Sequence, residues 1–215
     1  MIELYTSEIK DHINKKRPGN LREEFPGSPT VEYEVFNDKV FDIIDTKLTG
    51  GSIKRNQGEG TATYFNATSE TEHRNLCFIK NEEFFNQFNI RQGDWAKGLS
   101  RPDYVVYTPD SDKYLIIHEL SEGRIESKRH KAVIQILNYL KFVTAIPAVR
   151  TYCNSFKNRL CFVSAKGCVE VPSPDGMADG FMNIYNLLPD PLPVSNQSLE
   201  RMGFSAYASN VVNLP

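Results

Sequence analysis

The chain has 215 residues, of which 40% are hydrophobic and 24% charged, and its formal net charge at pH 7 is −2. This composition excludes a fibrous or predominantly disordered protein, and the length predicts a single domain spanning residues 1–215. No apolar run approaches the roughly 20 residues of a membrane-spanning helix, and the first residues lack a signal-peptide pattern, so we expect a cytoplasmic protein that does not enter a membrane.

The first half of the chain has short and weakly patterned elements. Residues 1–29 predict one short helix followed by a loop. An alternating run at 31–36 and an apolar run at 40–45 predict a hairpin, although the second run also fits a helix. The glycine-rich stretch 50–60 lacks the residue order of a phosphate-binding loop and predicts a mobile connection. A strand at 61–65 and a short helix at 81–88 follow.

The second half has clearer patterns. Residues 104–107 and 114–117 are rich in β-branched and aromatic residues on either side of a turn, which predicts an antiparallel hairpin. An amphipathic helix follows at 127–145 and is stopped by Pro147, and 159–165 predicts a strand. This strand, helix, strand order favours parallel pairing of the last strand. A further helix at about 177–188 and a proline-rich end complete an α/β fold with a central mixed β-sheet flanked by helices.

Two carboxylates are predicted to face each other across the central hairpin. If its turn is centred near Ser111, residues at equal distances along the chain before and after Ser111 face each other. This places Asp103 opposite Glu119. Opposed residues on neighbouring strands have Cβ atoms about 4.5–5.5 Å apart, so a cation or proton between the carboxylates would relieve their repulsion. Mg²⁺ (or Mn²⁺) suits such oxygen ligands. The alternative is that Asp103 merely begins a strand and Glu119 merely ends one.

The predicted helix presents a polar face distinct from its apolar stripe. At about 100° per residue, this face groups two cations with an amide, a phenol and a ring: Lys128, Lys131, Gln135, Tyr139 and Phe142. The helix also begins with a basic cluster, although the chain as a whole has no basic excess, so any nucleic-acid contact must be local. We expect Lys131 or Lys128 to reach a phosphate and Gln135 and Tyr139 to contact the backbone or a base; a solvated helix flank is the alternative.

Three short segments occur in the order found in the PD-(D/E)XK nuclease superfamily: Arg101-Pro102-Asp103, Ile116 to Ser121 and Gln135 to Tyr139. Over residues 101–139 the chain therefore resembles that superfamily, and most closely its RecB-type branch. The resemblance implies a restriction-endonuclease-like fold and hydrolysis of phosphodiester bonds, with DNA as the expected substrate. It also implies metal ligands beyond the two carboxylates. These are the main-chain carbonyl of Leu120 and an acidic residue from an upstream helix, with Glu83 the candidate and Glu82 the alternative.

The chain departs from the family pattern at Ser121, which occupies the position of the usual catalytic lysine. A serine hydroxyl cannot supply the missing positive charge. Either Lys131 or Lys128 replaces that lysine from the helix, with Arg124, Ser121 and Tyr139 contacting the substrate, or hydrolysis has been lost and the fold binds nucleic acid or a protein partner. A third possibility is an unrelated α/β protein with a chance motif match.

Two other metal or redox sites are less favoured by the sequence. A zinc site using His118 conflicts with strand alternation, which points His118 away from the face that carries Glu119. The cysteines, Cys77, Cys153, Cys161 and Cys168, lack metal-site spacing and are expected to be buried reduced thiols.

Overall fold

A computed structural model describes residues 1–16, 28–44, 51–66, 74–88, 100–121, 125–165 and 192–214, with the backbone alone at 125–129. The helices are α1 (Ile2–Leu4), α2 (Lys10–Lys16), α3 (Asn81–Asn86), α4 (Ile125–Val143), α5 (Pro147–Ser155) and α6 (Gln197–Arg201), with a π-helical stretch (Tyr5–Ile9) between α1 and α2. The strands are β1 (Tyr33–Phe36), β2 (Val40–Ile43), β3 (Lys54–Arg55), β4 (Ala62–Phe65), β5 (Leu76–Lys80), β6 (Tyr104–Tyr107), β7 (Tyr114–Ser121), β8 (Asn158–Ala165), β9 (Leu192–Pro193), β10 (Ser205–Ala208) and β11 (Val211–Asn213).

The main sheet has seven strands in the order β1-β5-β6-β7-β8-β10-β9. Strands β1, β5, β6 and β7 pair antiparallel, whereas β8 is parallel to β7 and β10 is parallel to β8. The predicted α/β class with a mixed sheet is therefore confirmed. The predicted parallel pairing of the strand at 159–165 is also confirmed, because α4 and α5 return the chain to the start of β8.

The central hairpin has the predicted register. Tyr104 faces His118 and Tyr107 faces Leu115 across β6 and β7. The turn is held by Thr108, whose Oγ1 donates to the Ser111 carbonyl at 2.6 Å and accepts from the Tyr114 amide at 3.1 Å. A hydroxyl that bonds the backbone on both sides of a turn fixes the register of the strands that leave it.

The two faces of the main sheet are covered differently. Val105 and Ile117 pack with the helices, including Ile136 of α4, whereas Val106 and Ile116 pack on the opposite face. That opposite face is covered by a four-stranded sheet in the order β11-β4-β2-β3. Among the described residues, helices thus flank one face of the main sheet and a second sheet flanks the other.

Two predictions for the first half of the chain differ from the structure. Strands β1 and β2 do not form a hairpin: β1 pairs with β5 in the main sheet, and β2 pairs with β3 and β4 in the second. The glycine-rich stretch contains β3 and a turn, not merely a mobile connection. The buried carboxylate of Asp42 organises this turn, because its Oδ2 accepts from the Gly58 and Gly60 amides at 2.8 and 2.9 Å.

The second half adds elements that were not predicted. Pro147 separates α4 from a second helix but also begins that helix, since a proline at the first helical position loses no hydrogen bond. Elements α6, β10 and β11 follow the proline-rich segment. The helix predicted at 177–188 lies outside the described residues.

None of the described helices alone is long and apolar enough to cross a membrane. The pair formed by His130–Val143 and Pro147–Ser155, across a bend of 118°, matches a span in length and composition.

Candidate functional site

The two predicted carboxylates lie at one end of the central hairpin. Asp103 immediately precedes β6, and continuing the observed register by one pair from Tyr104 and His118 sets it opposite Glu119 of β7. Both belong to the face of the main sheet that carries Val105 and therefore point toward the helices. Asp103 is 9% exposed, and its Oδ2 accepts from the Leu120 amide at 2.5 Å. This bond fixes one carboxylate against the neighbouring strand.

Gln135 of α4 holds the second carboxylate. Its Nε2 donates to Glu119 Oε1 at 2.9 Å and to the Arg101 carbonyl at 3.2 Å. One amide therefore ties the helix to β7 and to the segment that leads into β6. The three parts of the sequence motif meet at this point, since Arg101, Glu119 and Gln135 represent its three segments.

Tyr139 is connected to the backbone at Pro102 and Asp103 through a buried hydrogen-bond chain. Its hydroxyl lies 2.8 Å from that of Tyr5, which in turn donates to Asn81 Oδ1 at 2.8 Å. Since the single Tyr5 proton goes to Asn81, Tyr139 is the donor to Tyr5. Asn81 Nδ2 then donates to the Pro102 carbonyl at 2.7 Å, and its backbone amide donates to the Asp103 carbonyl at 2.9 Å. This chain fixes the backbone on which Asp103 is carried.

The predicted contact between Tyr139 and a substrate does not fit this arrangement. Tyr139 is 1% exposed, and burial raises its pKa well above the usual tyrosine range. A neutral, buried hydroxyl acts here as a structural hydrogen-bond donor. Tyr5 and Asn81 were not identified from the sequence; the one available signal was an amide directly after the apolar run of β5.

Among the predicted cations, Lys131 is the one whose side chain the structure describes. It is exposed and lies one helical turn before Gln135 on the same side of α4. The side chain of Lys128 and all of Arg124 lie outside the described residues. Ser121 is half-buried at the end of β7, two residues after Glu119 and therefore on the same face of the strand.

The third predicted carboxylate, Glu83, lies in the helix that follows β5. It is half-buried in α3, whose first amide donates to the Asp103 carbonyl. Within the described ranges, no three or more His, Cys, Asp or Glu side chains group together to hold a metal ion. A metal-binding role for Glu83 therefore stays a prediction.

The remaining predicted ligands are of one chemical kind. Asp103, Glu119 and the Leu120 carbonyl offer only oxygen atoms. Mg²⁺ is typically held by one or two carboxylates, with waters and substrate phosphates completing its shell. Two opposed carboxylates near the end of a hairpin match that requirement, and the absence of nitrogen or sulfur donors makes them a poor zinc site.

His118 lies on the opposite face of β7, as the alternation predicts, and takes no part in this site. Ser164 donates to the Ser209 carbonyl, so His118 Nε2 donates to Ser164 Oγ at 2.8 Å and its Nδ1 accepts from the Tyr64 hydroxyl at 2.7 Å. Burial lowers the pKa of His118 to about 3. The imidazole is thus a neutral link between the two sheets.

The described cysteines are free and buried, in agreement with the sequence prediction. Burial raises the thiol pKa of Cys77 and Cys161 and raises that of Cys153 to about 11. Such thiols are poor nucleophiles and metal ligands. Cys168 lies outside the described residues.

The chain matches no protein-family model, no curated protein and no solved structure at a significant level.

Proposed function

We propose that this chain is a nuclease-like protein of the PD-(D/E)XK type that hydrolyses phosphodiester bonds in DNA with the help of Mg²⁺ or Mn²⁺. The observation that carries the proposal is the pairing of Asp103 with Glu119, with Glu119 hydrogen-bonded to Gln135. The proposed restriction-endonuclease-like fold is supported by the antiparallel β5-β6-β7 unit, the crossover through α4 and the parallel β8.

Each residue has a defined part in this proposal. Asp103, Glu119 and the Leu120 carbonyl would hold the ion, which when bound lowers the pKa of a water molecule and offsets charge on the phosphate. Gln135 keeps Glu119 oriented, and the Leu120 amide keeps Asp103 oriented. Lys131 would take over the electrostatic role of the missing motif lysine, because its exposed ammonium extends from the same side of α4 as Gln135.

A second candidate function is a catalytically inactive module that binds nucleic acid or a protein. Two observations favour it: Ser121 stands at the lysine position, and the described residues include no group of three or more His, Cys, Asp or Glu side chains that could hold a metal ion. In that case the carboxylate pair would be a remnant, and the basic start of α4 would make the contact.

The two functions are separated by metal binding and cleavage measured on the same samples. We expect calorimetric titration with Mn²⁺ to show a site that Asp103→Asn removes and that the exposed control Asp11→Asn retains. Single-stranded, duplex and branched DNA are then incubated with the protein and Mn²⁺. Cleavage lost in Asp103→Asn supports the nuclease; DNA binding without Mn²⁺ binding or cleavage supports the inactive module. Failure to bind either Mn²⁺ or DNA contradicts the nuclease proposal.

A further inference from the structure

A cavity of about 400 Å³ lies away from the carboxylate pair, between the C-terminal end of α4, α5 and α6. Lys141 of α4, one of its lining residues, is six residues beyond Gln135, or about 9 Å further along the helix axis. Because α4 leads from the end of β7 back toward the start of β8, its last turn lies toward the opposite end of the main sheet. Cavities of this volume accommodate small molecules.

The described lining of the cavity contains cations without an acidic counterpart. Lys141, Arg150 and Arg201 come from three different helices, and none of the described lining residues is an aspartate or glutamate. In the described part of the chain, ion pairs within 4.0 Å are formed by Lys54 and Lys80 but by none of these three. Lys141 and Arg201 lie in the last turns of their helices, where a cation stabilises the helix. Helix stabilisation explains each position separately, but it does not explain why three cations line the same cavity.

The polar groups of the cavity are oriented as donors. Asn154 Oδ1 accepts from Arg159 Nη1, so the amide has its Nδ2 group left to donate. Arg150 donates its Nε to the Thr144 carbonyl at 2.8 Å, which anchors the guanidinium and leaves its two terminal nitrogens for another acceptor. A site that presents two guanidinium groups, an ammonium and an amide N–H is complementary to an anion with several oxygen atoms.

The Arg159 side chain, which donates to Asn154, is itself held in place by packing. Its guanidinium lies 5.8 Å from the ring centroid of Phe204 and packs directly on Gly203, where a Cβ atom would overlap it. Gly203 has φ +78°, a conformation in which glycine is favoured. The donor that orients the exposed Asn154 side chain is therefore itself held by packing.

Part of the cavity lining is apolar. Met202 and the buried Phe204 line it together with the cations. A ligand that fills the cavity thus needs an anionic group for the donors and an apolar part for these two side chains. We propose that the cavity binds a small molecule that carries a phosphate-type oxyanion next to an apolar or planar moiety, at a site independent of Asp103 and Glu119.

The proposal is tested by calorimetric titration of the full chain with pyrophosphate, a nucleoside monophosphate and a 5′-phosphorylated oligonucleotide. We expect Lys141→Gln and Arg201→Gln each to weaken binding of the nucleoside monophosphate about tenfold, since each removes one charge-assisted hydrogen bond. Both side chains are exposed, so unchanged thermal unfolding is expected to verify the fold. Arg150 is avoided because its substitution would also remove the bond to Thr144.

Matched controls separate a built site from general charge effects and from the proposed nuclease site. The exposed Lys15→Gln removes the same charge elsewhere, and Asp103→Asn alters the carboxylate pair; both are expected to leave nucleoside monophosphate binding unchanged. Asn154→Asp is expected to weaken binding more than Asn154→Ala, because it places a negative charge among the donors. The proposal is overturned if Lys15→Gln weakens nucleoside monophosphate binding as much as Lys141→Gln does. It is also overturned if only the oligonucleotide binds, or if no ligand shows saturable binding at concentrations on the order of 10 mM.

Discussion

Gln135 Nε2 lies 2.9 Å from Glu119 Oε1, so the orientation of one carboxylate of the pair depends on a side chain from the crossover helix. Removing this amide with Gln135→Ala is expected to lower the free energy of unfolding by about 1–2 kcal/mol, because a hydrogen bond to a charged, half-buried group is lost. Asn138→Ala, on the same helix, is the matched control and is expected to have a smaller effect. Urea unfolding monitored by circular dichroism measures both; equal effects would contradict the role of Gln135.

The contact between Tyr5 and Tyr139 predicts a non-additive pair of substitutions. Tyr5→Phe leaves two partners without their hydrogen bond and is expected to cost about 2 kcal/mol, whereas Tyr139→Phe is expected to cost about 1 kcal/mol. The double variant is expected to be more stable than the sum of the single effects by at least about 0.5 kcal/mol. A double-mutant cycle in urea provides the measurement, with Tyr152→Phe as a control for the loss of a tyrosine hydroxyl. Strict additivity would show that the two hydroxyls do not interact.

Lys131 is predicted to affect cleavage and not metal binding. If it supplies charge at the phosphate, Lys131→Gln is expected to lower the cleavage rate by about 100-fold or more, in the range observed when one stabilising donor is removed. Mn²⁺ affinity, measured by calorimetry, is expected to stay within about twofold of the wild-type value, because Lys131 is not a metal ligand. Lys15→Gln serves as the control. An unchanged cleavage rate in Lys131→Gln would exclude this lysine as the replacement for the missing motif lysine.

The buried imidazole of His118 predicts a pH-dependent stability. Its pKa in the folded chain is lowered to about 3, whereas an unfolded histidine has a pKa of about 6.5. Between these values the unfolded chain binds one more proton, so the stabilising contribution is complete above about pH 6.5 and falls by up to about 1.4 kcal/mol per pH unit as the pH decreases.

The contribution of His118 is measured as the difference in pH dependence between the wild type and a His118 variant. Urea unfolding of the wild type and His118→Gln is followed between pH 7 and pH 4, where the variant is expected to lose this part of the pH dependence. His12, which is partly exposed, provides the control His12→Gln. If His118→Gln keeps the full wild-type slope, His118 is not the neutral group that links the sheets.

Gly60 and Gly51 form a matched pair for the turn around Asp42. A Cβ at Gly60 would overlap the Asp42 Cβ and lie 2.7 Å from the Ile43 carbonyl oxygen, whereas a Cβ at Gly51 would meet no described atom within 4 Å. Gly60→Ala is therefore expected to destabilise the fold by about 1–3 kcal/mol, and Gly51→Ala by less than about 0.5 kcal/mol. Thermal unfolding of the two variants provides the comparison, and a similar midpoint for both would contradict the tight packing at Gly60.

The central hairpin, its register and the facing carboxylates could be predicted from the sequence because the information is local. The turn chemistry places the centre of the hairpin near Ser111, and that centre specifies which residues of β6 and β7 face each other. Helical periodicity likewise predicts the shared side of Gln135 and Tyr139. These features require no knowledge of distant partners.

Other features depend on contacts that no local pattern encodes. The alternating run at 31–36 is a strand as predicted, but its pairing with β5 and not with β2 is decided by how the two sheets pack. Tyr139 forms its hydrogen bond with Tyr5, which is 134 positions away. Because the partner hydroxyl is so distant in sequence, the prediction that Tyr139 contacts a substrate had no local information against it.

The pairings of β10 and β11 have a consequence for the kinetics of folding. Ser205 pairs with Leu160 in the main sheet, and Val211 pairs with Thr63 in the second sheet, 148 positions earlier in the chain. A loop of this length must close before β11 contributes any stabilisation, and such non-local pairing slows folding. The hairpin β6-β7 is therefore expected to form early and the second sheet late, so that substitutions at Val211 alter the unfolding rate more than the folding rate.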